Sequence, residues 1–301
     1  MTRIALQRTP YYSDAPYPTC PLCDGHVTEG EPCAVCYAPY ELILSATLRG
    51  QPPRFVGVLG PSGVGKTVYL GLLLELLARG VGGLRGLPVG PGSLAVQRDL
   101  VLSLERQRFP EKTPNEADRW QWVCCEVTPL TDAKRPPTFD LIAPDVAGEA
   151  VMAELERPRS NATVRALIGR CAGLVVLADV VRVIADGQGQ ELFAMQLVSY
   201  LAALHGAGGR RKVEVPVAVV FTKSDLCEEP IDDPDAFARA NAPGLWNLCQ
   251  ARLEHHRFFR ARAAGSTAIL ADADGGERLV PLRIEPEGIV EPIAWLLSLF
   301  R

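Results

Sequence analysis

The chain has 301 residues, 48% of them hydrophobic and 22% charged, the profile of a folded globular protein with room for one large domain and a small appendage. A formal charge of -4 leaves no basic footprint for nucleic acid or anionic lipid, so neither is expected as a partner. The polar start MTRIALQRTPYYSDAPYP lacks a secretory pattern, and the apolar runs Tyr69 to Ala78 and Ile293 to Phe300 are far shorter than the roughly 20 residues that span a bilayer. A cytoplasmic protein without a transmembrane segment is expected.

In chain order, the section up to about Tyr40 is rich in Pro, Tyr and Cys and has no apolar period long enough for a core of its own, so it needs a staple. Cys20-Pro-Leu-Cys23 and Cys33-Ala-Val-Cys36 supply one as C-x2-C-x9-C-x2-C, two knuckles that can bring four thiolates into a tetrahedron. Zn²⁺ is the expected metal. A redox pair lacks its βαβ context, and the tight ribbon-like spacing favours zinc over an iron-sulfur cluster. Four cysteine ligands leave no open position, so the ion is structural, and His26 is a loop residue. With almost no Lys or Arg between its cysteines, the knuckle pair is expected to dock protein or to stabilise, rather than to bind nucleic acid. The five other cysteines, Cys124, Cys125, Cys171, Cys227 and Cys249, read as buried thiols.

Glu41 to Leu48 suggests a strand, and Gly50-Gln51-Pro52-Pro53 then marks a boundary. Residues 1–50 are thus expected as a zinc ribbon-like module with its linker, and residues 51–301 as the large domain. From Arg54 onward, short apolar runs alternate with helical patterns, the mark of βα units and a mostly parallel sheet. The expected strands are Phe55 to Leu59, Trp122 to Val127, Phe139 to Ala143, Leu174 to Ala178, Val215 to Phe221, and Ala268 to Leu270 or Leu279 to Ile284. Helical spacing covers Thr67 to Arg79, Val164 to Cys171, Gln190 to Leu204, parts of Pro234 to Arg262, and Ile289 to Arg301. Arg79 to Ser93 reads as a glycine and proline loop, His255-His256 as helix surface, and Ala271 to Gly276 as a hairpin turn rather than a calcium loop.

Gly60-Pro61-Ser62-Gly63-Val64-Gly65-Lys66-Thr67 matches G-x-x-x-x-G-K-[ST] between an apolar strand and an apolar helix that continues through Val68, the context this motif requires. Its glycines allow the backbone amides to wrap an anion, and the helix N-terminus adds its dipole. Lys66 is expected on the β and γ phosphates and Thr67 on Mg²⁺. Asp145-Val146-Ala147-Gly148-Glu149 follows a strand, where the acid can orient Mg²⁺ and the Gly148 amide can meet the γ-phosphate. Thr222-Lys223-Ser224-Asp225 follows another, where a carboxylate accepts the two Watson-Crick-edge hydrogens of guanine that adenine does not offer.

In this order GPSGVGKT, DVAGE and TKSD resemble the first, third and fourth motif boxes of the small-GTPase and translation-factor (TRAFAC) class of P-loop GTPases, over about Arg54 to Arg301. With the N-terminal cysteines, the chain also resembles the predicted bacterial "double-GTPase" families. The resemblance implies an α/β P-loop NTPase fold, GTP and GDP as ligands, slow hydrolysis, and a protein effector or activator, with another GTPase or a second copy among the candidates, in signalling or conflict systems. It also implies a switch threonine, for which Thr113 in FPEKTPNE has the right place, and a loop meeting guanine O6, for which Gly265-Ser266-Thr267 is the candidate. The sequence departs from the pattern at Glu149, where a water-orienting glutamine is common, and at Ser62, whose side chain crowds the path of an inserted arginine. Arg157 and Arg159 are considered as charges supplied in cis and read as solvated side chains. A hydrolysis-poor scaffold that recruits a protein through its zinc module is the second reading.

Overall fold

Valine-rich runs without charge form the central strands, because a strand covered on both faces must be apolar along its whole length. The computed structural model describes residues 19–49, 55–110, 113, 120–131, 138–186, 189–205, 212–271 and 277–300. In chain order the elements are α1 (Tyr40–Arg49), β1 (Val56–Leu59), α2 (Lys66–Ala78), β2 (Leu84–Pro88), α3 (Gly90–Glu105), β3 (Trp122–Pro129), β4 (Phe139–Pro144), α4 (Gly148–Glu156), α5 (Ala162–Arg170) and β5 (Gly173–Asp179). They continue with α6 (Val180–Asp186), α7 (Gly189–Leu204), β6 (Val217–Thr222), α8 (Pro234–Asn241), α9 (Pro243–Arg252), β7 (His256–Arg260), β8 (Arg262–Ala271), β9 (Glu277–Glu287) and α10 (Glu291–Leu299).

Strands β1, β5, β6 and β7 form a parallel sheet in the order β1-β5-β6-β7, in a register that pairs Val58 with Val175, Val176 with Val219 and Val220 with Phe259. Every residue of β1, β5 and β6 is buried. One face packs on α2 and α10, through Leu70, Leu73, Leu77, Ile293 and Leu296, and the other on α5, α7 and α9. A second, antiparallel sheet β2-β3-β4 places β4 against β1. Strands β8 and β9 make a separate hairpin whose described ends pair Ala271 with Glu277. The expected turn therefore falls between them, although residues 272–276 lie outside the described ones.

Four local expectations are corrected. Glu41 to Leu48 lies in helix α1, where Ile43 is fully buried and the Thr47 hydroxyl donates to the Ile43 carbonyl at 2.8 Å, a one-turn contact that a strand cannot make. Within Arg79 to Ser93, Val81–Gly83 form a 3₁₀ turn, Leu84–Pro88 pair with β3, and α3 starts at Gly90 with proline in its first turn. Ser93 holds α3 in place: its hydroxyl donates to the Val89 carbonyl and accepts the Cys124 amide, each at 2.7 Å. His256 is on no helix but opens β7, where the paired aromatics Phe258 and Phe259 are buried. Ala268 to Leu270 and Leu279 to Ile284 belong to the hairpin, so β7 is the outer strand of the parallel sheet.

The cysteine knuckles dock on α5. The Thr163 hydroxyl donates to the Cys36 carbonyl at 3.3 Å, and Arg170 bonds both the Pro21 carbonyl at 3.2 Å and the Asp24 carboxylate. Leu22, Val27, Ala38 and Ile43 join the same apolar cluster as the sheet. Among the described residues, no helix is long and apolar enough to cross a membrane.

Candidate functional site

In an open α/β sheet the loops after the strands converge at the carboxyl edge. Here the segments after β1, β4, β6 and β7 surround one cavity of about 270 Å³, whose wall Phe109, Pro110 and Thr113 after α3 and Leu279 and Ile289 complete. Its wall includes Ser62 to Val68, Thr113, Gly148, Glu149, Thr222, Lys223 and Asp225, so residues far apart in sequence meet in one place.

The loop Gly60 to Thr67 turns because Gly65, at the N-cap of α2, has φ 93°, a left-handed conformation that glycine takes without a Cβ clash. The first amides of α2 have no carbonyl inside the helix to bond, so they are donors for an anion. Lys66 is 6% exposed and lies across the loop, its Nζ donating to the Gly60 and Pro61 carbonyls at 3.0 and 3.2 Å. Burial pushes its ammonium below the ordinary lysine range, opposed by the charges of Asp145 and Glu149. These carbonyl bonds hold the cation at the cradle until a stronger anionic partner competes.

Asp145 Oδ2 accepts from the Thr67 hydroxyl at 2.7 Å and from the Thr113 hydroxyl at 2.8 Å, and the two hydroxyls are 3.0 Å apart. Its other oxygen, Oδ1, is buried without a hydrogen-bond partner. Burial raises the Asp145 carboxyl, while both threonine bonds and the Lys66 charge oppose that rise. Two hydroxyls and a carboxylate with an unsatisfied oxygen are hard donors at the mouth of an anion cradle, a set that suits Mg²⁺. Gly148 completes this end. A Cβ on it would stand 2.1 Å from the Ser62 amide nitrogen, so only glycine lets α4 meet the phosphate loop this closely.

At the opposite end, the Thr222 hydroxyl donates to the Val64 carbonyl at 2.8 Å and ties β6 to the phosphate loop. Lys223 has φ 59° and bonds Asp179 at 2.6 Å. Asp225 is half-buried on the cavity wall, its carboxyl raised by burial against the pull of Arg262 and Lys223. Ser266 and Thr267 lie within β8 and outside this wall, and the segment lining the cavity beside Asp225 is Ala261-Arg262-Ala263. Residues 265–267 fall inside β8 because the strand that pairs with β6 is β7, and the chain that follows β7 reaches the cavity at Ala261 to Ala263. Arg157 and Arg159 stand exposed after α4 and do not reach the cavity. Asp179 was missed by sequence reasoning, although its signal was present: an acid directly after the charge-free run GLVVLA. It is 2% exposed and caps α6 through the Val181 amide.

The four cysteine sulfurs all lie within 4.8 Å of one another, with Cys20 to Cys36 and Cys23 to Cys33 each 3.4 Å apart. Sulfurs around one zinc, at Zn-S bonds of about 2.3 Å, stand about 3.8 Å apart. The group could hold zinc, with His26 outside it. A hydrogen bond from Cys36 holds the Cys20 thiol below the ordinary cysteine range, whereas burial pushes the Cys23 thiol up. Four clustered sulfurs thus ionise together only when a cation neutralises them.

A parallel sheet that presents a glycine loop with its lysine, an Asp145-threonine cluster and a TKSD turn at one edge defines a P-loop GTPase of the Ras-like and translation-factor class. The chain belongs to the Double-GTPase 2 family, whose family model matches residues 54–281. Among curated proteins none matches the chain. Similar solved structures include the Arl6 small GTPase of Trypanosoma brucei with a bound nucleotide analogue, at 12% identity and TM-score 0.40, covering 81% of this chain and 95% of that one. A second is the signal recognition particle receptor SRb-GTP/SRX complex of Chaetomium thermophilum, at 16% identity and TM-score 0.35, covering 71% and 92%. A third is the GTPase-like domain of S. cerevisiae Ski7 bound to GDP and inorganic phosphate, at 12% identity and TM-score 0.43, covering 85% and 52%.

Proposed function

We propose that the protein is a GTP-binding molecular switch that slowly cleaves GTP to GDP and phosphate with Mg²⁺ and acts on a protein partner. The observation that carries this reading is the Asp145 carboxylate, bonded through one oxygen to Thr67 and Thr113 and orphaned at the other, beside the Lys66 cradle. Thr67, Thr113 and Asp145 would hold Mg²⁺, which supplies charge neutralisation on the triphosphate. The amides of Gly63 to Thr67 and the Lys66 ammonium bind its β and γ phosphates, and Gly148 N-H meets the γ-phosphate. Asp225 accepts the N1 and N2 hydrogens of guanine, and Ala261 to Ala263 take the O6 side that Ser266 and Thr267 were expected to fill.

In cleavage, water adds to the γ-phosphorus, the bond to the β-γ bridging oxygen breaks, and GDP, phosphate and a proton leave. Intrinsic turnover in this class is about 10⁻⁴ s⁻¹, slow enough for the bound state to last as a signal. The nucleotide orders Thr113 and the Asp145 to Glu149 segment, whose surface a protein partner reads. In the same reading, residues 1–50 form a zinc-stapled module that docks protein, and residues 51–301 form the GTPase domain. Glu149, in the water-orienting position, is what favours the second reading, a nucleotide-bound scaffold with negligible cleavage.

Calorimetry of the full chain with Mg-GTP and Mg-ATP tests the switch reading. Heat is expected with Mg-GTP, and Lys66→Ala abolishes it. Asp225→Asn is expected to weaken GTP and favour xanthosine triphosphate, since it reverses one donor-acceptor pair. No Lys66-dependent heat, or an unchanged base preference in the Asp225 variant, rules out the assignment.

A further inference from the structure

We propose that Arg182 is the cation with which this chain clamps the phosphates of its own nucleotide during cleavage, held at the cradle by Asp179. The inference rests on reading the cavity as a Mg-GTP site.

Three contacts fix where Arg182 stands. Its backbone begins α6, and the Asp179 carboxylate holds that first turn by accepting the Val181 amide at 3.0 Å and the Arg182 amide at 3.4 Å. Its guanidinium reaches back over the phosphate loop, where Nη1 donates to the Ser62 carbonyl at 3.4 Å. Nη2 stands 3.5 Å from the point that a Cβ on Gly63 would occupy. The side chain therefore lies against Ser62 and Gly63, two residues that line the cavity, without itself lining it.

Its charge is only loosely matched there. Asp179 Oδ2 is already bonded to Lys223 at 2.6 Å and is 3.9 Å from Arg182 Nε, whose side chain is 50% exposed. A half-exposed arginine bonded to a neutral carbonyl has a weak partner, and a phosphate oxygen is a far stronger one. Other arginines near the site are committed or distant. Arg262, on the cavity wall beside Asp225, bonds Glu287, and Arg157 and Arg159 stand exposed after α4, whereas Arg182 donates to the phosphate loop itself.

The chemistry explains why such a cation matters here. As the bond to the bridging oxygen breaks, negative charge moves onto the GDP leaving group and spreads over the γ-phosphoryl oxygens, and cleavage gains most from cations aimed at that charge. A second protein has little room to insert one on the Gly148 side, because α4 and Ser62 are in backbone contact. From α6, Arg182 comes to the loop at Ser62 and Gly63 without crossing that contact.

The test uses Arg182→Ala and Arg182→Lys in the full chain, with affinities for Mg-GTP, Mg-GDP and Mg-GDP with aluminium fluoride, a mimic of the transferring phosphoryl group, alongside single-turnover cleavage. For Arg182→Ala, GTP and GDP affinities are expected within about threefold of wild type. The aluminium fluoride complex and the cleavage rate are each expected to fall at least about a hundredfold, the lower side of what one such donor contributes, and lysine restores part of both. Unchanged fluoride affinity and rate, an equal fold-loss for GDP and its fluoride complex, or a wild type that forms no fluoride complex overturns the proposal. A wild type that binds no Mg-GTP fails the parent reading instead, whereas GTP binding with an indifferent Arg182 fails this inference alone.

Discussion

At the scale of single residues, the site is governed by how few atoms separate its parts. The Gly148 Cα faces the Ser62 amide so closely that an added methyl would overlap it at 2.1 Å. Gly148→Ala is therefore expected to push α4 off the phosphate loop, at a cost of about 1–3 kcal/mol of overpacking, and to weaken Mg-GTP binding. Thermal melting with and without nucleotide measures both effects. Glu149 is exposed at the first turn of α4 and lines the same cavity. Its role is decided by single-turnover cleavage in Glu149→Gln and Glu149→Ala. If the carboxylate acts on water, both variants slow; if it only repels the γ-phosphate, Glu149→Gln speeds cleavage. Of these residues, Lys66, Thr67, Asp145 and Asp225 were legible in the sequence because each has a set position in a local motif. Asp179 and Arg182 were not, because their importance arises from contacts with Lys223 and Ser62, far away in the chain.

At the scale of elements, two attachments hold the site's frame. Tyr69 on α2 is fully enclosed by the core, and its hydroxyl donates to the Ile289 carbonyl just before α10 at 2.8 Å. Tyr69→Phe leaves that buried carbonyl without its partner and is expected to cost about 1–3 kcal/mol, read from urea unfolding with GTP affinity little changed. The second attachment is the cysteine module. Treatment with a chelator, or replacing Cys20 by serine, is expected to lose one equivalent of zinc and to open residues 19–38 to protease. Structural zinc contributes an apparent binding energy of about 10–16 kcal/mol, far more than an exposed, solvent-screened ion pair such as Arg170-Asp24 supplies. Arg170→Ala should accordingly leave the zinc content unchanged. Helix α1 was misread as a strand because the seven apolar and small residues after Glu41 fit either period, and only packing of Ile43 against the main core selects the helix.

At the scale of the whole molecule, ligand and fold are linked through a cavity that segments from separate parts of the chain build. A ligand bound only by the folded state stabilises it by about 2.7 kcal/mol at a hundred times its dissociation constant. Mg-GTP at such excess is expected to raise the melting temperature by several degrees, while equal Mg-ATP does not. Equal shifts from both nucleotides would show that Asp225 reads no base.

The amino-acid sequence by itself determined the parallel α/β class, the phosphate loop, the acids after β4 and β6, and the cysteine quartet. These are written in short windows, where strand burial, glycine torsions and ligand spacing act between near neighbours. Only the tertiary structure decided that β7 rather than a later strand borders the Asp225 end of the cavity, that Ala261 to Ala263 rather than Ser266 and Thr267 line it, and that Arg182 stands over Ser62. Those outcomes depend on which strand pairs with β6 and which helix start comes to lie on the loop. Such choices are settled by the packing of distant segments around a shared core, and no local pattern records them.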